Sequence, residues 1–297
     1  MLAARSPASG TQPPLSGGLR LRLAIRILLT LCSSSSSNNR NNKNSQNRSR
    51  GGLPRFHSQT LPPSKGEVVR VQGDEFWHMT KVLRLALNHK VELFDGAGGL
   101  IEGCIQRLDR TGADVMALED PKVTTPQGTQ WHVFAAFGAL KGGRADWLIE
   151  KCTELGASSV TPLLTLRSPI IGDNRVDRLQ RVILAAVKQC QRLHGMTLNP
   201  PIKFHNFLTI VDQSKFSLLA AAEATPLVNV LLSSSIAGDG IVIVGPEGDF
   251  TEEEVELMTK AGATLVGLGP SRLRVETATI ALLSTVMLWS DARKLDP

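Results

Sequence analysis

The apolar positions of this 297-residue chain change period partway along it. Glu67 to Val71, Lys90 to Phe94, Leu100 to Arg107 and Ala113 to Leu118 each carry an apolar side chain at about every second residue, with glycine-containing turns between them. A period of two turns one face of each segment into a core and the other toward water, which predicts the strands of a small β-barrel. Thr124 to Thr129, TTPQGT, interrupts the pattern. Beyond it, short continuous apolar runs alternate with segments of helical period. The runs are Trp131 to Gly138, Ser159 to Leu163, Phe216 to Ala222, Ile241 to Val244 and Thr264 to Leu268. A helix ends at Gly156 with Trp147, Leu148, Cys152 and Leu155 at core spacing, and another covers about Arg175 to Leu193. Thr251 and Glu254 form a capping box for a helix to about Ala261, closed by Gly262, and a last helix spans about Ala278 to Trp289. Apolar strands in alternation with helices predict an α/β domain whose parallel sheet is covered on both faces. The expected divisions are a leader at 1–52, a β domain at 53–123 and an α/β domain at 124–297.

The last two strands each run into a glycine turn, Gly245-Pro246-Glu247-Gly248 and Leu268-Gly269-Pro270, and each turn precedes a helix. Loops at the carboxyl ends of parallel strands are where such sheets hold small molecules. These two do not suit a pyrophosphate, whose cradles use backbone amides and a Lys and exclude carboxylates, since Glu247 lies in the first loop and Glu276 follows the second. A carboxylate suits ribose hydroxyls, an amino group or a cationic sulfonium. The alternative is that Glu247 is a solvated turn residue and Glu276 an ion-pair partner of Arg272 or Arg274. Lys141 and Arg144 stand at the start of the helix that ends at Gly156, where cations oppose the helix dipole. That placement points to an anionic ligand or to side chains held in water.

Charge is uneven along the chain. Of 33 Lys and Arg, ten precede Gly66, where there is no Asp or Glu, so the remaining 23 face 27 acidic residues and the body carries −4. Leu19 to Cys32 is apolar but broken by Arg20, Arg22 and Arg26, too short and too charged for a membrane span. Ser33 to Arg50 contains only Ser, Asn, Gln, Lys and Arg and so has no apolar area to bury, the composition of disorder. An acid-free, Arg- and Ser-rich leader reads as a transit peptide for a chloroplast or a mitochondrion. Cysteines at 32, 104, 152 and 190 show no C-x-x-C spacing, so neither a structural zinc nor a disulfide framework is expected.

GPEGDFTEEE at 245–254 followed by LGPSRLRVETA at 268–278 resembles the paired signature of the RsmE-type methyltransferases, members of the SPOUT class. Lys141 to Gly156, KGGRADWLIEKCTELG, is similar to a further segment of that family, as are Gln189, Cys190 and Arg192, Pro54 to His57, and His78 to Arg84. The resemblance runs from about Pro54 to the C-terminus. It implies S-adenosylmethionine-dependent methylation of N3 of a uridine in small-subunit ribosomal RNA, a knotted α/β methyltransferase domain, a PUA-like RNA-binding domain before it and a homodimer formed through the last helix and the Arg175 helix. No metal and no membrane are implied. Carried over residue by residue, Arg274, Arg144 and Glu276 take the catalytic places. Ala222, Glu223, Gly245, Pro246, Glu247, Gly248, Leu268, Gly269, Leu273 and Thr277 take the cofactor places. Arg55, Lys81, Arg84, Lys141, Gln189 and Arg192 take the RNA contacts.

Four residues depart from the family pattern: Ser271 where an Arg is usual, Asp249 in place of a Gly, and Lys188 and Gln191 beside Cys190. Asp249 falls in a turn that calls for positive φ, which Asp tolerates better than most residues. A uracil N3 is an imide nitrogen that attacks only after losing its proton, so the chemistry asks for alignment and for stabilisation of an anion. Glu276 is either the proton acceptor or the residue that holds Arg274. Two other functions stay open: a methyltransferase of the same class acting on transfer RNA or on a ribose hydroxyl, and a non-catalytic RNA-binding assembly factor.

Overall fold

A computed structural model describes residues 52–168, 173–234 and 238–293; the leader lies outside the described residues. The smaller domain contains β1 (Arg55–His57), β2 (Val68–Gln72), α1 (Gly73–Trp77), a π-helical turn (His78–Val82), β3 (Lys90–Phe94), β4 (Gly99–Leu108), β5 (Gly112–Ala117) and β6 (Lys122–Val123). Its sheet runs β1-β3-β4-β5-β2 with β6 on β4, and β1 is parallel to β3 while the other pairs are antiparallel. The period-two reading holds in detail. Ile101, Gly103 and Ile105 of β4 face inward beside Val91, Leu93 and Val115, and Phe56 and Met79 close the core with no exposed surface.

The larger domain contains β7 (Trp131–Ala135), α2 (Arg144–Leu155), β8 (Ser159–Leu164), α3 (Asp173–Cys190), β9 (Thr197–Leu198), β10 (Ile202–Lys203), α4 (Phe204–Gln213), β11 (Ser217–Ala220), α5 (Leu227–Ser233), β12 (Gly240–Val244), α6 (Glu252–Lys260), β13 (Thr264–Val266) and α7 (Val275–Arg293). The sheet order is β10-β8-β7-β12-β11-β13, with β9 also on β8, and every pair is parallel. Side chains alternate between its two faces. Trp131, Val133, Val242, Val244 and Leu218 pack beneath α2, α3 and α7, whereas Phe134, Ile241, Ile243 and Leu219 pack against α4 and α6 through Phe207, Val211 and Met258. Both faces are thus covered, as apolar strands without alternation require. From β12 the chain passes over β11 to lay down β13 on its far side.

Three expectations change. Trp147 is 44% exposed, because the buried stripe of α2 is Ala145, Leu148, Ile149, Cys152 and Thr153, and Trp147 lies one residue, about 100°, off that stripe. The last helix begins at Val275 rather than Ala278, so Glu276 sits in its first turn. Between Leu193 and Phe216, where the pattern names no element, the chain adds β9, β10 and α4.

Candidate active site

In the sheet, β12, β11 and β13 are neighbours and parallel, so their carboxyl ends meet at one edge. The loop after β11 is tied to β13 by the bonds Ala221 N–H to Val266 O (3.0 Å), Gly267 N–H to Thr225 O (2.8 Å) and Leu227 N–H to Gly267 O (3.0 Å). Gly267 permits this approach, since a Cβ there would lie 2.5 Å from the Ala224 carbonyl oxygen. After β12, a Cβ on Gly245 would meet the Phe250 ring at 2.9 and 3.0 Å. The turn closes through Asp249 N–H to Pro246 O (2.8 Å), and Asp249 has φ of 64°, the left-handed conformation expected of it. Its carboxylate accepts from the Phe250 N–H at 2.8 Å, so the side chain supports the turn it strains.

Arg144 joins this edge from the start of α2, which follows two left-handed glycines, Gly142 and Gly143. Its Nη1 lies 2.8 Å from Glu247 Oε1 and 3.5 Å from Glu276 Oε1, so one guanidinium links the loop after β12 to the first turn of α7. The Glu247 hydrogen bond, ahead of the Glu276 charge, holds Arg144 above its ordinary pKa. Glu276 pairs with Arg144 instead of Arg272 or Arg274. It is 7% exposed, and its Oε2 is buried without a hydrogen-bond partner. A carboxylate at a helix N-terminus is favoured by the dipole, but an empty buried oxygen costs stability unless something else meets it.

Two more arginines close on the same turn. Arg272 Nη2 donates to Glu247 O at 3.0 Å, and Arg167 Nη1 donates to Gly248 O at 2.7 Å. The sequence reading missed Arg167. Its one signal is position, just past the carboxyl end of β8 and therefore at the same sheet edge. Glu254 likewise does more than cap. It completes the capping box with Thr251 and also accepts from the Leu166 N–H at 3.0 Å, fastening the loop after β8 to the start of α6.

The edge therefore gathers Gly245, Pro246, Glu247 and Gly248, Ala222 and Glu223 (φ 58°), Leu268 and Gly269, and Arg144 with Glu276. Leu273 is partly buried on the approach to α7, and Thr277 is exposed in its first turn. Lys141 and Arg274 are exposed, and neither side chain has an ion pair or hydrogen bond among the described residues. The remaining expected RNA contacts lie elsewhere, and two are otherwise engaged. Arg55 is paired with Glu92 at 2.8 Å, and Arg192 donates to Thr153 O (2.8 Å) and Gly156 O (3.4 Å), where a cation caps the C-terminus of α2. Gln189 is exposed on α3, and Lys81 and Arg84 are exposed on the smaller domain. Burial raises the pKa of the Cys190 thiol and pushes that of Cys152 up to about 12, which suits packing and not nucleophilic attack. Among the described residues no His, Cys, Asp and Glu group is placed to hold a metal ion.

Parallel strand ends carrying carboxylates and arginines define a loop-built α/β site, and comparison with known proteins gives its class, the RNA methyltransferases. Residues 127–287 match the family profile described as RNA methyltransferase domain, and residues 71–115 match the RNA methyltransferase PUA domain. The ribosomal RNA small subunit methyltransferase E of Rickettsia conorii is 31% identical over 228 residues, covering 74% of this chain and 89% of that protein. The enzyme of the same name from Mycobacterium bovis is 30% identical over 243 residues, covering 78% and 90%. A crystal structure of the Neisseria gonorrhoeae enzyme of that name, bound to S-adenosyl methionine, superimposes with a TM-score of 0.65 at 26% identity, covering 80% of this chain and 99% of that one. The chain belongs to the ribosomal RNA small subunit methyltransferase E family.

Proposed function

We propose that this protein uses S-adenosylmethionine to methylate N3 of a uridine in small-subunit ribosomal RNA. The observation that carries the reading is the Arg144 bridge between Glu247 and Glu276 at the shared edge of β12, β11 and β13, on a chain of this family. The residues fit the cofactor. Gly245 and Gly267 let the Phe250 ring and the Ala224 carbonyl close against the backbone and so shape the two loops, and the buried Oε2 of Glu276, without a hydrogen-bond partner among the described residues, is an acceptor that a ligand bound at this edge would meet. Gly245 to Gly248, Ala222, Glu223, Leu268, Gly269, Leu273 and Thr277 would hold it, and bound there it supplies an electrophilic methyl group.

The protein's task is then alignment and charge. Arg144 is paired through Nη1 with two carboxylates and links the two loops. Arg274, unpaired and exposed at the entrance of α7, is the cation available to a uracil oxygen that gains negative charge or to the adjoining phosphate. We assign the imide proton to Glu276, a reading supported by its buried Oε2 having no hydrogen-bond partner among the described residues. Nucleoside mass spectrometry of small-subunit RNA incubated with the full chain and the methyl donor tests the reading. N3-methyluridine is the expected product, abolished by Arg274→Ala. Donor binding without any product would favour the assembly-factor reading.

The quaternary and cellular readings extend this one. A homodimer through α3 and α7 is supported by Leu184 and Leu288, 39% and 69% exposed on those helices, and light scattering should give twice the monomer mass. The acid-free leader supports import into a chloroplast or mitochondrion, tested by the destination of a leader-to-fluorescent-protein fusion. The passage from β12 over β11 to β13 supports the knotted topology that the resemblance implies.

A further inference from the structure

Trp77 ends α1 with 59% of its surface exposed, although the core of the smaller domain is complete without it. The chain then enters the π-helical turn, marked by Leu83 N–H to His78 O at 3.0 Å. Trp77, Lys81 and Val82 are the exposed side chains of this segment. The opposite side is the packed one: Met79 is fully buried, and the His78 ring meets Phe56 edge-on at 5.9 Å. The outer side stays open, with Val82 43% exposed and Lys81 exposed. Arg84 follows, exposed and at φ of 53°, a conformation that a non-glycine residue holds only against strain. π turns and strained residues gather where a surface is used, and here both present one indole and two cations.

Charge accounting separates these cations from their neighbours. Arg55 is paired with Glu92, Arg70 with Asp109 and Asp114, Lys90 with Glu102 and Lys122 with Glu119. Lys81 and Arg84 make no ion pair among the described residues. The nearest acidic groups along the chain are Asp74 and Glu75 on one side and Glu92 on the other; the Glu75 carboxylate is taken by the His57 N–H and that of Glu92 by Arg55.

We propose that Trp77, Lys81 and Arg84 form a stacking platform for unpaired RNA, with the indole against the face of one base and the two cations on flanking phosphates. The inference rests on the RNA methyltransferase reading; Lys81 and Arg84 are RNA contacts that the family resemblance already implies, and what is added is the Trp77 indole as a base-stacking surface beside them. Stacking on an aromatic face accepts any base, so it holds the strand without selecting sequence.

Titration of the full chain with a single-stranded fragment of small-subunit ribosomal RNA, at several salt concentrations, tests it. Trp77→Ala should weaken binding about tenfold with the salt slope unchanged, and Trp77→Phe should recover most of the loss. Lys81→Ala and Arg84→Ala should each reduce the slope of log affinity against log salt by about 0.7. Affinity for the methyl donor and the melting temperature should stay at wild-type values in all four. Wild-type RNA affinity in Trp77→Ala overturns the proposal, as does a loss of dimer mass in place of RNA affinity, which would assign the face to self-association. Methyl transfer by the wild type alongside an inert Trp77→Ala sinks the platform alone. Trp77-dependent binding without methyl transfer keeps the platform and removes the enzymatic reading.

Discussion

Arg144 and Glu276 form a pair in which each restrains the other. Removing the cation strands a carboxylate that is already short of one partner, and an uncompensated buried charge is more costly than a missing pair. Arg144→Ala should therefore melt below wild type, and Arg144→Ala/Glu276→Gln should melt above the single variant, a coupling visible in a double-mutant thermal cycle. On the proposed mechanism Glu276→Gln keeps the shape and removes the proton acceptor, and should lower kcat about a hundredfold while donor affinity by calorimetry changes far less. Asp249 offers a cleaner backbone test. At φ of 64°, a β-branched side chain is strained and glycine is not, so Asp249→Val should cost about 2 kcal/mol in denaturant unfolding and Asp249→Gly close to nothing.

At the scale of elements, the loop after β12 is rigid because its neighbours hold it from outside. Glu254 accepts bonds from both Thr251 and Leu166, so Glu254→Ala removes a cap and frees the loop after β8 together; a loss of about 2 kcal/mol in urea unfolding is expected, with weaker donor binding. The same elements show what could be read from sequence. Nine of the strands declare themselves through period two or through unbroken apolar runs, whereas β1, β6, β9 and β10, of two or three residues each, are too short to show a period, and the capping box at Thr251 places α6 to within a residue. The loops that carry Glu247 and Glu276 follow from those strands. What lay hidden was partnership. Nothing in the order of residues says that Arg144 reaches across 132 positions to Glu276, or that Arg192 caps α2. Such pairings depend on how the sheet is ordered, with β12 and β13 on opposite sides of β11, and no local pattern encodes that order. Trp147 was misread because a large apolar residue beside a buried stripe has the same hydrophobicity as one within it.

At the scale of the molecule, the two domains meet where the end of α3 lies against the smaller sheet. Gly98 N–H donates to Leu193 O (2.8 Å), Gly195 N–H donates to Gly96 O (2.7 Å), and Gln191 Nε2 donates to Arg55 O (3.3 Å). His57 is buried nearby and Glu75 half-buried. Burial, and then Lys188, holds the His57 imidazole below its ordinary 6.5, so the folded chain refuses a proton that the unfolded chain accepts. That stability is complete above pH 6.5 and drains away as the pH falls through the folded value. Burial raises Glu75 above 4.5, which works the other way, favouring the fold below that pH and fading as the pH climbs through the folded value. The melting temperature should accordingly drop on acidification from pH 7 toward 5.5, and His57→Phe should flatten the drop while Glu75→Gln leaves it in place.

The passage of the chain over β11 also orders events in time. β11 is translated before either strand that flanks it, and Glu276 belongs to the last helix of all. The smaller domain and the first strands of the large sheet are therefore synthesised before the proposed donor site can be complete, since that site lacks Glu276 until α7 is made. A chain truncated before α7 should accordingly give no heat of binding with S-adenosylmethionine in calorimetry.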